Sequence, residues 1–338
     1  MSKRFNVAVV GATGAVGEVM LSILAERKFP IDKIVALASE RSAGEYVAFG
    51  NDEVMVRDLA TFDPTGVDIA LFSAGGSISK QYAPKFAAAG AVVIDNSSAF
   101  RYDDDVPLVV SEVNPEAVKN RPRGIIANPN CSTMQMVVAL GPIHRKVGIE
   151  RINVATYQSV SGAGRSGMEE LGKQTAALLN FQAIEPKRFQ AQIAFNLIPH
   201  IDDFLENGFT KEEMKLVWET RKILGDDRIQ VNPTAVRVPV FYGHSEAVNV
   251  ETREKITADE VRELLRNAPG VEVVDERKAG GYPTPVTHAS GRDPVFVGRI
   301  RDDLSHPRAI NLWVVSDNIR KGAALNAVQV AELVAAEA

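Results

Sequence analysis

The sequence predicts an α/β protein in which a doubly wound parallel sheet comes first and an α+β domain follows. Short apolar strands alternate with helices in the first third of the chain, and a glycine-rich turn joins the first strand to the first helix. From about Asn130 the strands become longer and alternate apolar with polar residues, which is typical of a mixed or antiparallel sheet. We expect two closely packed domains, residues 1–129 completed by 318–338, and residues 130–317.

The first domain is predicted from six apolar strands separated by helices. Apolar residues at helical spacing predict a helix from Val16, and a second helix is predicted near Ser77–Ala89. The segment Val47–Thr61 is compatible with either a hairpin or irregular structure. The predicted strands are Asn6–Val10, Lys33–Ala38, Ile69–Phe72, Val92–Ile94, Leu108–Val110 and Gly124–Ala127.

The second domain is predicted to open with a long helix at Ser132. An alanine-rich helix, Ile319–Glu337, is expected to close back on the first domain. The predicted strands are Asn153–Val160, Ala235–Val240, Ala247–Glu251, Pro294–Ile300 and Ala309–Val315. The predicted helices between them are Gly164–Asn180, Lys211–Leu224 and Ala258–Asn267.

Composition excludes several classes of protein. The formal net charge of −5 over 338 residues, without a basic block, argues against nucleic acid or an anionic membrane as a partner. Apolar runs are too short to span a bilayer, and the start of the chain leaves no room for a signal peptide, so we expect a cytoplasmic protein. A single cysteine excludes an internal disulfide and a multi-cysteine zinc site, and we expect no metal.

A glycine-rich turn follows the first strand and opens the first helix. Its spacing, G-x-x-G-x-x-G, is a variant of the fingerprint found in Rossmann-type dinucleotide-binding domains. Glycine lets the backbone turn sharply and approach a pyrophosphate, and the helix N-terminus offers free N–H groups. A tight structural turn is the alternative. The residues expected to contact the cofactor here are Gly11, Thr13, Gly14, Ala15, Val16 and Gly17.

The end of the second strand predicts which dinucleotide binds. An NAD site usually places an acidic residue there, whereas Arg41 and Ser42 offer a guanidinium and a hydroxyl for a 2′-phosphate. We therefore expect NADP. Glu40 keeps NAD open as the alternative, and a solvated loop without cofactor contacts is a third interpretation.

Cys131 lies in the segment Asn128–Thr133, between a strand and an apolar helix. A thiol at a helix N-terminus has its thiolate stabilised by the helix dipole and is nucleophilic near neutral pH. A lone cysteine is more often a buried packing residue. The rigid polar turn, the helix start and the preceding nucleotide-binding pattern favour the nucleophile.

Five segments together resemble the aspartate-β-semialdehyde dehydrogenase family, over essentially the full length of the chain. These segments are Gly11–Gly17, Ala38–Gly44, Asp95–Ser98, Asn128–Thr133 and Arg237–Val240. The resemblance implies an architecture like that of glyceraldehyde-3-phosphate dehydrogenase. It also implies reduction of 4-phospho-L-aspartate to aspartate 4-semialdehyde with NADPH, in the biosynthesis of lysine, diaminopimelate, methionine and threonine.

The resemblance also implies roles for individual residues. Cys131 matches the nucleophile that forms a thioacyl enzyme. His244, one of five histidines, matches the general acid/base that takes the thiol proton and later protonates the hemithioacetal oxygen, or the reverse; His200 remains possible in a loop role. Gln158 would orient the substrate, although a strand glutamine is usually only a polar surface residue. The residues matched to the nicotinamide end are Ser161, Gly162 and Asn318.

The implied substrates are small molecules that carry a carboxylate, an ammonium group and a phosphate. Arg237 matches the carboxylate ligand, and Glu212 is a candidate for the ammonium group. Arg101 and Lys215 match phosphate ligands, with Asn130 assisting them. Taken alone, Glu212 and Lys215 are three residues apart on a predicted helix, a spacing that is usually a surface ion pair.

Two other functions remain open. N-acetyl-γ-glutamyl-phosphate reductase shares the glycine loop and the cysteine, but its N-acylated substrate has no ammonium group for Glu212. A non-catalytic NADP-binding homologue is the other alternative, against which Cys131, His244 and Gln158 argue. We expect a homodimer formed through the second domain, because its sheet has more apolar surface than helices on one face can cover.

Overall fold

The computed structural model of the chain describes residues 3–337. These residues form thirteen strands: β1 (Phe5–Val10), β2 (Ile31–Ala38), β3 (Tyr46–Phe49), β4 (Asp52–Asp58), β5 (Ile69–Phe72), β6 (Val92–Asp95), β7 (Ile125–Ala127), β8 (Ile149–Gln158), β9 (Gln230–Arg237), β10 (His244–Thr252), β11 (Val271–Val273), β12 (Val295–Asp302) and β13 (Ala309–Ser316). The described α-helices are α1 (Ala15–Glu26), α2 (Gly76–Ala88), α3 (Cys131–Val147), α4 (Arg165–Leu179), α5 (Lys211–Leu224), α6 (Ala258–Arg266) and α7 (Asn326–Ala336). None of the helices in this part of the chain is long and apolar enough to cross a membrane.

The chain divides into two compact units. The first unit runs to Asn130 and resumes at Ala323, and the second is Cys131–Gly322. The first unit contains a seven-stranded sheet in the order β3-β4-β2-β1-β5-β6-β7, parallel except for β3. Its core buries apolar residues of β1, α1 and α7, such as Val9, Leu24 and Val328. The predicted doubly wound α/β sheet is confirmed.

In the first unit, one segment whose structure was left open is now defined, and one predicted strand is absent. The segment Val47–Thr61, for which two structures were open, contains the antiparallel pair β3–β4. Leu108–Val110 is not a strand, so that prediction is wrong: Leu108 makes one isolated bridge, to Ala127. The chain turns at once after this bridge, because Val113 and Asn114 both donate to the Val110 carbonyl.

The second unit contains a six-stranded mixed sheet in the order β11-β12-β13-β10-β8-β9. The pairs β8–β9 and β11–β12 are parallel and the others are antiparallel, as the sequence predicted for a mixed sheet. Helices α3, α5 and α6 pack together on the inner face, where residues such as Val154, Val248 and Val314 are buried. Alternate residues of β8 and β10 point to the other face.

Two boundaries in the second half of the chain were predicted incorrectly, and one short strand was missed. The strand expected at Ala235–Val240 is β9 and ends at Arg237. Strand β11 was missed, because three residues carry too little periodicity. The last helix begins later than Ile319: Arg320–Leu325 forms a wider helical turn, and regular helix starts at Asn326.

Candidate active site

The glycine turn of the first unit leaves no room for side chains at two of its positions. Gly11 has φ +84°, and a Cβ atom there would lie 2.9 Å from the Ser73 carbonyl carbon and oxygen. A Cβ atom on Gly17 would lie 2.2 Å from the Gly11 oxygen. Gly14 precedes α1, which has no side-chain cap, so the N–H groups of the first turn are available to an anion. This cradle fits a dinucleotide pyrophosphate.

The turn after β2 carries the residues expected to select the cofactor. Glu40, Arg41 and Ser42 form one short 3₁₀ turn, and the Arg41 and Glu40 side chains are exposed. No hydrogen bond or ion pair within residues 3–337 engages the Arg41 guanidinium. Arg41 can therefore bind an added phosphate, and Glu40 stands beside it on the same turn.

A network of amides and a carboxylate lies at the ends of β6 and β7 in the first unit. The buried Asp95 carboxylate accepts hydrogen bonds from the Ser79 and Ser97 hydroxyl groups, both at 2.6 Å. Asn128 donates to the Asn96 side-chain oxygen at 2.6 Å. Arg101 is buried and donates to the Asn96 carbonyl at 2.9 Å, so this network fixes its position. Asn130 is also buried in this unit.

In the second unit, Cys131 is the first residue of α3 and its thiol is not engaged in a disulfide. The Arg237 guanidinium and the Cys131 sulfur are close enough to interact electrostatically. A Cβ atom on Gly322 would lie 2.8 Å from the Cys131 Cβ. Gly322 therefore lets the chain pass directly behind the thiol. No motif in the sequence indicates this contact.

His244 begins β10 and is fully buried. The Ser159 backbone N–H donates to its Nδ1 at 3.0 Å, so the neutral ring carries its proton on Nε2. Burial, and then the charge of Arg237, lower the pKa of His244 to about 3. The buried Nε2 atom has no hydrogen-bond partner within residues 3–337. His244 is thus a neutral side chain with an N–H available for a ligand.

Gln158, Glu212 and Lys215 form a continuous chain of hydrogen bonds. Gln158 Nε2 donates to Glu212 Oε1 at 3.0 Å, and Lys215 Nζ donates to Glu212 Oε2 at 2.9 Å. Lys215 also donates to Asp202 at 2.8 Å. Burial lowers the pKa of Lys215, but the two carboxylates outweigh this effect and raise it. Glu212 is therefore buried and Lys215 partly buried, so the pair is not an exposed surface ion pair. Asp202, which no motif indicates, also binds Lys215.

Arg237 ends β9, next to Gln158 at the end of β8. Its buried guanidinium donates to the Ser159 carbonyl at 2.7 Å, and no carboxylate within residues 3–337 forms an ion pair with it. Burial lowers its pKa and the charge of Glu212 opposes this shift, although a guanidinium stays protonated. A buried arginine without an ion pair is a binding group for an anion.

Asn318 and Ser161 hold the turn after β8 in place. The Asn318 side-chain oxygen accepts hydrogen bonds from the Ser159 and Ser161 hydroxyl groups and from the Gly243 N–H, at 3.0–3.1 Å. Its amide nitrogen donates to Ser161, which leaves one N–H for a ligand. A Cβ atom on Gly162 would lie 3.1 Å from the Arg237 guanidinium and 3.4 Å from the His244 ring, so this glycine leaves space above both groups.

The second unit thus brings together Cys131, Gln158, Gly162, Glu212, Lys215, Arg237, His244 and Asn318, as contacts among their side chains show. The glycine loop, Arg41, Ser42, Arg101 and Asn130 belong to the first unit. Within residues 3–337 no group of three or more histidine, cysteine, aspartate or glutamate residues has the arrangement of a metal site. His200 stacks on Phe204, with ring centroids 4.4 Å apart.

Comparisons with known proteins match both halves of the chain. A family described as "Semialdehyde dehydrogenase, NAD binding domain" matches residues 6–121, and one described as "Semialdehyde dehydrogenase, dimerisation domain" matches residues 140–321. The aspartate-semialdehyde dehydrogenase of Legionella pneumophila is 61% identical over 340 residues, which is 100% of this chain and 97% of that protein.

Solved structures agree with these sequence matches. Aspartate semialdehyde dehydrogenase II of Vibrio cholerae, crystallised as a complex with ASA, has a TM-score of 0.97 and 59% identity over 99% of both chains. The aspartate semialdehyde dehydrogenase of Candida albicans, solved with NADP, has a TM-score of 0.75 and 26% identity over 98% of both chains.

Proposed function

This chain belongs to the aspartate-semialdehyde dehydrogenase family, and on that premise we propose that it reduces 4-phospho-L-aspartate to L-aspartate 4-semialdehyde with NADPH, releasing phosphate. The observation that carries the proposal is the buried guanidinium of Arg237, which has no ion pair within residues 3–337 and interacts electrostatically with both Cys131 and Glu212. An amino acid substrate supplies the missing carboxylate and places its ammonium group opposite Glu212.

Glu212 distinguishes this substrate from the N-acylated one. Its carboxylate is 6% exposed and is oriented by Gln158 and Lys215. A free ammonium group adds a charge-assisted hydrogen bond there, whereas an N-acetyl group leaves the carboxylate without a new partner. This favours the semialdehyde dehydrogenase over N-acetyl-γ-glutamyl-phosphate reductase.

For the phosphate, we propose Lys215 and Arg101, assisted by Asn130. An ammonium group has three donors, and two of those of Lys215 are used by Glu212 and Asp202. The third remains for a phosphate oxygen. Arg101 keeps a fixed position through its bond to the Asn96 carbonyl.

The proposed nucleophile is the Cys131 thiolate, stabilised by the N-terminus of α3 and by Arg237. Its sulfur attacks the acyl carbon, a C–S bond forms, and the C–O bond to phosphate breaks with the electron pair leaving on phosphate. Bound NADPH supplies hydride-transfer chemistry. Once the acyl carbon has been reduced, collapse of the hemithioacetal releases the aldehyde and restores the thiolate.

Of the two roles expected of His244, the geometry favours the donor role at the acyl oxygen over the role as the base for the thiol. The Ser159 N–H occupies Nδ1, and the proton on Nε2 leaves no lone pair there to accept the thiol proton. A pKa of about 3 also makes the ring a weak base. An Nε2–H donor next to Arg237 stabilises negative charge on the acyl oxygen as it develops, and a proton passed to that oxygen returns to Nε2 when the hemithioacetal collapses to the aldehyde.

We also propose NADP as the cofactor, a cytoplasmic location and a role in the biosynthesis of lysine, diaminopimelate, methionine and threonine. What supports NADP is the exposed Arg41 guanidinium next to Ser42, on the turn after β2. The Candida albicans relative was solved with NADP, at 26% identity.

A homodimer formed through the outer face of the six-stranded sheet completes the proposal. The matching family description names a dimerisation domain over residues 140–321. In this unit Ala247 is exposed and lies opposite Trp313, whose ring is 5.5 Å from that of Tyr157. Two copies of such a surface can bury each other across a two-fold axis. Light scattering at micromolar concentration tests this: a mass near one chain, with activity independent of dilution, contradicts the dimer.

The decisive experiment is oxidation of aspartate semialdehyde, assayed with and without phosphate and with NADP or NAD. We expect reduced cofactor to form only when phosphate is present, and faster with NADP. The same protein is then given 4-phospho-L-aspartate and N-acetyl-γ-glutamyl phosphate in the reductive direction. Turnover of the N-acetylated compound alone, or no alkylation of Cys131 by iodoacetamide, contradicts the proposal and favours one of the two alternatives.

A further inference from the structure

Behind the reactive groups of the second unit lies a second set of polar side chains that the proposed reaction does not use. Each of these residues lies on the same helix or strand as a reactive group. It is four residues away from that group on a helix, or two residues away on a strand. These steps return to the same face of the element. We call the three residues the inner polar layer; they are Gln135 behind Cys131 on α3, Thr156 behind Gln158 on β8, and Glu246 behind His244 on β10.

Glu246 is the central member of the inner polar layer. Strand β10 lies between β8 and β13, and Glu246 is paired with Thr156 on one side and Val314 on the other. Its side chain is fully buried, and neither carboxyl oxygen has a hydrogen-bond partner within residues 3–337. Thr156 gives its hydroxyl proton to Gln158, so it does not satisfy Glu246.

Gln135 is the polar side chain that acts on Glu246. It is 1% exposed, and its amide oxygen and nitrogen also lack partners among the described residues. Gln135 is close enough to lower the pKa of Glu246, although the atoms do not meet normal hydrogen-bond geometry in this conformation. Two buried polar groups without other partners, close to each other on packed elements, require an explanation.

Within residues 3–337, no charge balances Glu246. Burial raises its pKa well above the ordinary value of 4.5, Gln135 only partly opposes this, and no charged group contributes. The groups that face it are Gln135 from α3, Thr156 from β8 and Val314 from β13, with His244 two residues along its own strand. An unpaired buried carboxylate is so unfavourable that the group takes a proton instead.

We propose that Glu246 is a positioning residue, whose neutral carboxyl group pairs with the Gln135 amide and thereby fixes the first turn of α3, where Cys131 lies. This inference rests on the proposed function, in which Cys131 is the nucleophile. A carboxylic acid and a primary amide are complementary, because each has a donor and an acceptor side by side. The neutral form also matters: a carboxylate charge behind Cys131 would oppose its thiolate.

The first test measures the charge of Glu246 through stability. If Glu246 is neutral in the folded protein and ionised when unfolded, the folded state holds one extra proton above about pH 5. The unfolding equilibrium constant of the wild type then rises about tenfold per pH unit relative to that of Glu246→Gln. A ratio that does not change between pH 6 and 8 means that the carboxyl group is ionised in the folded protein, and overturns the proposal.

The second test measures positioning through the thiol. Iodoacetamide alkylation of Cys131 is followed against pH, and kcat and KM for semialdehyde oxidation are measured on the same samples. For Glu246→Leu and Gln135→Leu we expect alkylation and kcat to fall about tenfold with KM within about twofold, since a displaced nucleophile loses rate. Glu246→Gln, which keeps an amide–amide pair, is expected to retain the wild-type alkylation pH profile and kcat within about threefold.

The control is Thr252→Val, at a buried polar residue on the same face of β10 but at its far end. It is expected to lower stability and leave alkylation and kcat unchanged. Wild-type alkylation and kcat in both leucine variants overturn the positioning role; if Glu246→Leu does not fold, Gln135→Leu and Glu246→Gln still decide it. A wild type that is alkylated but does not oxidise the semialdehyde overturns the proposed function instead.

Discussion

The glycine loop of the first unit and the reactive cluster of the second unit are constructed in opposite ways. The loop uses backbone atoms of consecutive residues, Gly11–Gly17, and needs mainly the absence of side chains. The cluster uses side chains from separate strands and helices, among them Cys131, Glu212 and His244. A site formed by backbone is defined within one turn of the chain, whereas a site formed by side chains depends on the register of a whole sheet.

The charged side chains of the two sites also differ in their exposure to water. In the first unit, charged groups such as Arg41 are exposed to water, where a charge without a partner costs little free energy. In the second unit, Arg237 and Glu212 are buried, and the unfavourable desolvation of the Arg237 guanidinium is offset only in part by the charges of Glu212 and Cys131. A substrate with the complementary charges completes this balance, so substrate binding should depend strongly on both groups.

The largest expected effect separates the two sites completely. We predict that Cys131→Ala lowers turnover by at least about 10³-fold, because no other group in the second unit can form the acyl bond. NADP affinity should stay within about twofold of the wild-type value, since the glycine loop holds the cofactor. Steady-state kinetics and fluorescence titration with NADPH measure the two quantities.

Cys131→Ser is the matched variant, and we expect it to be almost as inactive, because an alcohol has no accessible anion at neutral pH. Substantial dehydrogenase activity in either variant contradicts the nucleophile assignment. A parallel loss of NADP affinity in both would instead mean that Cys131 contributes to the cofactor site.

Substitutions at two glycines, one in each unit, test the comparison and are expected to have effects of intermediate size. Alanine at Gly17 would place its Cβ 2.2 Å from the Gly11 oxygen, and alanine at Gly322 would place it 2.8 Å from the Cys131 Cβ. We predict that Gly17→Ala weakens NADP binding, whereas Gly322→Ala lowers kcat about 100-fold by displacing the thiol and leaves NADP binding unchanged. Kinetics at saturating cofactor, with separate cofactor titrations, distinguish the two effects.

Gly172→Ala is the control for this pair, because the new Cβ meets nothing within 4 Å in the middle of α4. It should leave both activities unchanged and raise stability by about 0.5–1 kcal/mol. If Gly322→Ala behaves like this control, the chain behind Cys131 can move aside, and the close packing seen there has no role in positioning the thiol.

Sequence alone predicts the first site better than the second for the same physical reason. The strand–turn–helix pattern around Gly11 identifies a local structure, and the resemblance to a family supplies residues such as Arg237. No pattern indicates Asp202, which reaches Lys215 across 13 residues, or Gly322, which meets Cys131 only after the chain has returned. Likewise, the lone-pair direction of His244 depends on the Ser159 N–H, a backbone contact across 85 residues.

A smaller effect concerns the choice of cofactor in the first unit. We predict that Arg41→Ala weakens NADP binding by about 1–3 kcal/mol, the range for a charge-assisted contact, with little effect on NAD. Glu40→Ala is the matched control on the same turn, and should not weaken NADP binding. Equal losses of NADP and NAD affinity in Arg41→Ala would mean that the guanidinium supports the fold or the adenine and not the 2′-phosphate.

The smallest predicted effect is a pH dependence of stability that comes from the second site. His244 has a pKa of about 3 when folded, far below the ordinary 6.5, so the unfolded state binds one more proton between these values. Stability therefore falls as the pH drops below about 6.5, by about 1.4 kcal/mol at pH 5.5 relative to pH 8. Urea unfolding at both values should show a loss that is smaller by this amount in His244→Gln than in the wild type, because the pKa of His144 is also lowered by burial and contributes in both proteins. His306→Gln, at a partly exposed histidine, is the matched control. An equal loss in the wild type and His244→Gln would show that the buried ring takes up its proton in the folded protein, and would restore the base role that the Ser159 contact argues against.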